Sequence, residues 1–159
     1  MSIYLIKGDI TKSNCKYICH QVNCHCRMGS GVARSIRAKW PIVYNEYIRI
    51  AEEEDIGFGD KQLTQKYMLG HIQLVKVNNE QFVINMFAQD NYGYDGKQYT
   101  SYEAFQSCLN EILLNCESGA SIAFPFKIGS DRGGADWNTI LQMIIDTLGN
   151  EMEIFIYEI

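Results

Sequence analysis

HQVNCHCRMGSGVARS, residues 20–35, is the stretch on which the reading of this chain turns. Tyr17-Ile18-Cys19 lead into it as a strand does, polar residues follow, Gly29-Ser30-Gly31 make a turn, and Val32 to Lys39 looks helical. A strand, a glycine turn and a helix in that order suit an anion. Glycines let backbone amides approach without a Cβ in the way, and a helix start offers unpaired N–H groups at the positive end of its dipole. Ser30 is a good N-cap for that helix. One such turn is common in proteins. A second glycine loop, Ile128-Gly129-Ser130-Asp131-Arg132-Gly133-Gly134, also follows an apolar strand and precedes a helix. Two amide-rich turns on neighbouring strand ends could grip a diphosphate from both sides; the alternative is that the glycines merely permit the turns.

Outward from these loops, strands alternate with helices. Ile3 to Ile6 is a short apolar strand stopped by Lys7-Gly8-Asp9, and Thr11 to Lys16 is turn-like. The first helix should end near Trp40-Pro41, because the residue before proline avoids the α region. Pro41 then opens a second helix, with Val43, Tyr44, Tyr47, Ile48 and Ala51 at helical spacing and Glu52-Glu53-Glu54-Asp55 as its solvated end. Residues 70–77 alternate as a half-exposed strand, Asn78-Asn79 read as a hairpin turn, and Phe82 to Met86 is the returning strand. Residues 90–97, with Tyr92 and Tyr94, form a loop long enough to carry function. Thr100 and Glu103 read as a capping box for a helix with a Phe105, Cys108, Leu109, Ile112 stripe. Ser121 to Phe126 is a buried strand, Trp137 to Leu148 the last helix and Glu153 to Tyr157 the closing strand. The pattern predicts one α/β domain over residues 1–159: a three-layer α/β/α sandwich with a mixed, mostly parallel sheet of about six strands. Ligands are expected at the C-terminal strand ends.

Composition narrows the classes of function. With 159 residues, 47% hydrophobic and 21% charged, the chain is that of an ordinary globule. Its net charge of −5 argues against diffuse attraction to nucleic acid or to an acidic membrane. No run approaches the length of a membrane span, and there is no signal-peptide pattern. Six cysteines without a secretory signal imply reduced thiols and a cytoplasmic protein.

Several residues invite a chemical role, each with a structural alternative. Asp9 could hold a nucleobase amine, or close an Asx turn. Cys19, His20, Cys24, His25 and Cys26 lack the paired spacing of zinc sites, so buried thiols and a hydrogen-bonded histidine are expected and no metal. Asp136 could orient a water with His20 as general acid, or simply cap the last helix. No GxSxG, GxxxxGK[ST] or HExxH is present.

Ile6-Lys7-Gly8-Asp9-Ile10, Val22-Asn23-Cys24 with Met28-Gly29-Ser30-Gly31-Val32-Ala33, Trp40-Pro41, Tyr44, and Phe124-Pro125-Phe126-Lys127-Ile128-Gly129 with Gly133-Gly134, Asp136 and Trp137 together resemble a macrodomain, the ADP-ribose-binding module. The likeness spans nearly the whole chain. It is nearest the branch of ADP-ribose 1''-phosphate phosphatases and terminal ADP-ribose glycohydrolases. The resemblance implies that Asp9 accepts from the adenine amine, that Ile10 lines its pocket, and that Tyr157 lies against the base. It implies that Asn23 faces the distal ribose, and that Gly29, Ser30, Gly31 and Val32 with Ile128, Gly129, Ser130, Asp131, Arg132, Gly133 and Gly134 clasp the diphosphate. No lysine follows Ile84-Asn85-Met86-Phe87, where the glycohydrolases carry one, and Gly133 stands where their partner aspartate would fall. The phosphatase-type members instead resemble this chain at His20, and Asp136 is the nearest acid, so the resemblance implies phosphate-monoester hydrolysis, Asp136 orienting water and His20 protonating the leaving group. No cofactor is expected. The implied partners are ADP-ribose or its 1''-phosphate, or an ADP-ribosylated protein or nucleic acid. A non-catalytic reader and a de-ADP-ribosylating hydrolase are the alternatives.

Overall fold

The structure, a computed structural model, describes residues 3–23, 31–58 (backbone only from 51), 68–89, 98–130 and 133–159. Six strands form one sheet: β1 (Ile3–Lys7), β2 (Tyr17–Asn23), β3 (Ile72–Lys76), β4 (Phe82–Gln89), β5 (Ser121–Pro125) and β6 (Glu153–Glu158). Their order is β1-β6-β5-β2-β4-β3, and every pairing is parallel except that of β3 with β4. Among the described residues the helices are α1 (Gly31–Lys39), α2 (Pro41–Phe58), α3 (Tyr102–Asn115) and α4 (Trp137–Leu148), and Ile10–Lys12 forms a 3-10 turn.

Strand alternation divides the core in two. Tyr17 and Cys19 of β2, Ile84 and Met86 of β4, and Ile122 and Phe124 of β5 face Phe105, Leu109 and Ile112 of α3 and Ile140 and Ile144 of α4. Ile18 and Val22, Val83 and Phe87, and Ala123 face Ile36 of α1 and Val43 and Tyr47 of α2. Parallel strands covered on both faces read as unbroken apolar runs, and β5 is one. The three-layer sandwich with a mixed six-stranded sheet is thus the architecture observed.

Three local expectations need correction. The acidic run does not close α2, which continues to Phe58; glutamate is a good helix former and no breaker intervenes before Gly57. β4 runs three residues beyond Met86, to Gln89, because it stays paired with β2 as far as Asn23. Thr100 is not the cap of α3. It is held in an isolated bridge with Gln89, and the adjacent Ser101 caps instead, its hydroxyl accepting from Ala104 N at 3.1 Å.

Candidate functional site at the β2–β5 divide

The chain leaves β2 toward α1, α2 and the β3–β4 side of the sheet, whereas it leaves β5 toward α4 and β6 on the other side. Neighbouring parallel strands whose exits part in this way leave a crevice beyond their C-terminal ends. The ladder reflects it: β2 and β5 pair only at Tyr17 with Ile122 and Ile18 with Ala123, after which β2 continues to Asn23 beside β4 alone. The described end of β2 at Asn23 and that of β5 at Pro125, which precede the two glycine-rich segments in the sequence, flank this divide.

At the far side of the rim, Asp9 follows β1. Its Oδ1 accepts from Thr11 N at 2.9 Å and from Thr11 Oγ1 at 2.8 Å, closing the 3-10 turn. These bonds hold its carboxyl below the usual range, with a lesser contribution from the nearby Lys12 and Lys39 charges. The Asx-turn reading of Asp9 therefore holds, and Oδ2 has no partner among the described residues. Ile10 is buried against Val22 and Ile36, and Tyr157 packs half-buried on the same cluster beside Ile6 in the register.

The second loop is built from two successive turns. Ile128 N donates to Pro125 O at 3.0 Å and Ser130 N to Lys127 O at 2.9 Å. Lys127 (φ 61°) and Gly129 (φ 73°) take the left-handed conformation at the third position of each turn, which glycine adopts freely and lysine does not. Ile128 is buried in the core and anchors the loop, while Ser130 lies half-buried and Gly134 (φ 74°) exposed at its surface. A Cβ on Gly133 would run into the Thr100 hydroxyl and the Gly129 carbonyl, the latter at 2.5 Å. In the first loop, Gly31 (φ 61°) opens α1 and Val32 packs on the core beneath it. Gly29, Ser30, Asp131 and Arg132, like Cys24, His25, Cys26, Tyr92 and Tyr94, lie outside the described residues.

Asn23 ends β2 at an irregularity: it pairs with Gln89, skipping Ala88. Tyr47, wholly buried, donates its hydroxyl to the Asn23 carbonyl at 2.5 Å and lies 3.1 Å from Asn23 Oδ1. A helix side chain that sequence reading assigned only to the core thus orients the strand end.

His20 is 1% exposed, deeper in β2 than Asn23. Its Nε2 lies 2.5 Å from Asn85 Oδ1, Asn85 Nδ2 donates to Gln73 Oε1 at 3.0 Å, and Gln73 Nε2 donates to the Glu46 carbonyl at 2.9 Å. A carbonyl only accepts, so the direction of every bond in this chain follows from its last member. Nε2 of His20 must carry the proton, and Nδ1 is a bare acceptor, buried and without a partner. Burial drives the ring's pKa down to about 4, against a smaller upward effect of the Asn85 bond. At neutral pH His20 is therefore uncharged, and its one N–H is engaged by Asn85; this differs from the ring expected to protonate a leaving group.

Asp136 is exposed and caps α4, accepting at Oδ2 from Thr139 N (3.0 Å) and Thr139 Oγ1 (2.8 Å). Among the described thiols, burial raises the pKa of Cys19 well above its ordinary value and that of Cys116 to about 11, so neither is a ready nucleophile. Among the described residues no three His, Cys, Asp or Glu side chains are grouped to hold a metal ion, and no helix is long and apolar enough to cross a membrane.

Sequence reading missed Gln21, Asn85, Thr100 and Tyr47. Gln21, Asn85 and Tyr47 lie in ordinary strand or helix positions and Thr100 in the bridge before α3, and each has a partner far away in the chain.

The comparisons with known proteins agree with this architecture. A protein of Enterobacteria phage T4, described as an uncharacterised 17.5 kDa protein in the tk-vs intergenic region, is 29% identical over 99% of this chain and 97% of its own. A Bacteroides thetaiotaomicron structure superposes with a TM-score of 0.80 at 26% identity, covering 100% of this chain and 99% of that one. The structure of Thermosipho africanus DarTG in complex with ADP-ribose superposes with a TM-score of 0.71 at 19% identity, covering 98% of this chain and 41% of that one. The family model of the Macro domain matches residues 19–144. With most of its length matched and its strand ends arranged as above, the chain belongs to the Macro domain family.

Proposed function

We propose that this protein binds ADP-ribose along the C-terminal rim of the sheet, adenine beside Asp9 and Tyr157, diphosphate between the two glycine loops, distal ribose at Asn23. The observation that carries the reading is the divide between β2 and β5: the two strands pair only at Tyr17–Ile122 and Ile18–Ala123, and the two glycine-rich segments follow their neighbouring C-terminal ends. The ADP-ribose complex of a structural neighbour of the same fold supports it. A protein of net charge −5 must hold an anion by such local donors rather than by a basic field. The buried thiols Cys15 and Cys19 suit a reducing cytoplasm. Isothermal titration with ADP-ribose tests the binding: saturable heat with one site per chain is expected, and Asp9→Ala should weaken it on the order of tenfold or more, the effect of removing a charged hydrogen-bond acceptor. No heat at millimolar ligand would end the reading.

The finer proposal is that the ligand is ADP-ribose 1''-phosphate, hydrolysed with Asp136 orienting the attacking water. In this reading His20 positions β2 and supplies no proton. The same feature of His20 favours the second reading, a module that recognises free or macromolecule-linked ADP-ribose without turnover. Phosphate release separates them. Turnover by wild type that Asp136→Ala abolishes supports the hydrolase; binding with no release supports the reader.

A further inference from the structure

His20 and its neighbour Gln21 point to opposite faces of β2, and Gln21 reaches under the second loop. Its Nε2 donates to Gln89 Oε1 at 2.7 Å and to Thr100 Oγ1 at 2.8 Å. Thr100 Oγ1 in turn donates to the Gly129 carbonyl at 2.8 Å. The Gly133 carbonyl accepts from Tyr99 N at 2.7 Å and from Thr100 N at 2.9 Å, and the Gly129 carbonyl accepts a further bond from Ala135 N at 3.0 Å. Thr100 is 2% exposed, and Gln21 Oε1 is buried with no hydrogen-bond partner. The packing leaves no slack. A Cβ on Gly129 would sit 2.9 Å from Gln21 Oε1 and 3.4 Å from Thr100 Oγ1. The direction of the bonds is again set by a carbonyl: Gly129 O can only accept, so Thr100 gives its single proton there and must receive from Gln21.

We propose that Gln21 and Thr100 are positioning residues for the second loop: through them β2 holds the Gly129 and Gly133 peptides in the one backbone shape whose amides face the divide. The inference rests on the ADP-ribose reading of that divide. It assigns Tyr99 and Thr100, just before α3, a role of their own, because their backbone amides hold the Gly133 carbonyl. β2 then serves both halves of the diphosphate site, the first loop growing from its end at Asn23 and the second being tied to it through Gln21.

The test compares wild type with Thr100→Val, which keeps the shape and removes the hydroxyl, Thr100→Ser, which restores it, and Gln21→Glu, which removes both donors at unchanged size. Two readouts are taken on each: the Kd for ADP-ribose, and hydrogen-exchange protection of the Tyr99 and Ala135 amides. Thr100→Val and Gln21→Glu should lose protection at both amides and weaken binding about tenfold, while Thr100→Ser stays within about twofold of wild type. Thermal melts of all four confirm that the fold is retained. Unchanged affinity in Thr100→Val, with or without loss of protection, overturns the positioning role. If wild type itself fails to bind ADP-ribose, the reading of the site falls, and the exchange data alone still decide whether Gln21 and Thr100 hold the loop.

Discussion

His20 shows how one buried ring acquires its state from residues remote in sequence. The Glu46 carbonyl orients Gln73, Gln73 orients Asn85, and Asn85 selects the Nε2–H tautomer. The consequence for stability follows from linkage. A histidine held near pKa 4 in the fold and near 6.5 when unfolded binds its proton preferentially in the unfolded chain. Its neutral form therefore stabilises the fold fully above about pH 6.5, and that contribution falls away as the pH drops toward 4. The loss over that window is on the order of 3 kcal/mol. His20→Gln, which keeps a donor toward Asn85 and does not titrate, should flatten the slope of stability between pH 7 and 5. Urea melts at both values measure it, and equal slopes in the two proteins would refute the assignment.

At the scale of elements, the polar chain runs across three adjacent strands in register, His20 opposite Asn85 and Asn85 opposite Gln73, and ends on α2. It stitches β2, β4 and β3 to the helix layer inside an otherwise apolar face. Asn85→Ala leaves the His20 N–H and the Gln73 carbonyl buried and unpaired, each at about 1–3 kcal/mol. A loss of roughly 2–5 kcal/mol in denaturant melts is expected, and a change below 1 kcal/mol would show that water or a shifted side chain replaces the bonds. The correction at Thr100 has the same character. Thr100, three residues before Glu103, satisfies the capping-box pattern, yet its hydroxyl is drawn to Gly129, and Ser101 takes the cap.

At the scale of the whole molecule, the proposed binding at the divide would draw on β1, β2, β5 and β6 and should stabilise the fold as a unit. ADP-ribose at 100 times its Kd adds about 2.7 kcal/mol, a rise of roughly 5–10 °C in the melting temperature of a domain this size. A thermal shift of that extent with ADP-ribose, and none with an equal concentration of ribose, is the expected outcome; equal melting curves with and without the nucleotide would count against the rim as its site. The sheet's parallel centre and its two helix layers supply the rigid frame on which such a site can be preorganised.

The order of strands and helices, the two glycine loops and the acid after β1 were legible in the amino-acid sequence, because periodicity and turn chemistry are local properties. The sequence also offered helix capping as one of two readings of Asp136, and the cap is present. Tertiary structure alone decided which loops share an edge, that Gln21 ties one of them down, and that His20 is neutral. Those outcomes depend on partners 65 to 79 residues away, brought together only when β2 takes its place between β5 and β4. A buried polar group takes its state from what burial places beside it, and no local pattern records that.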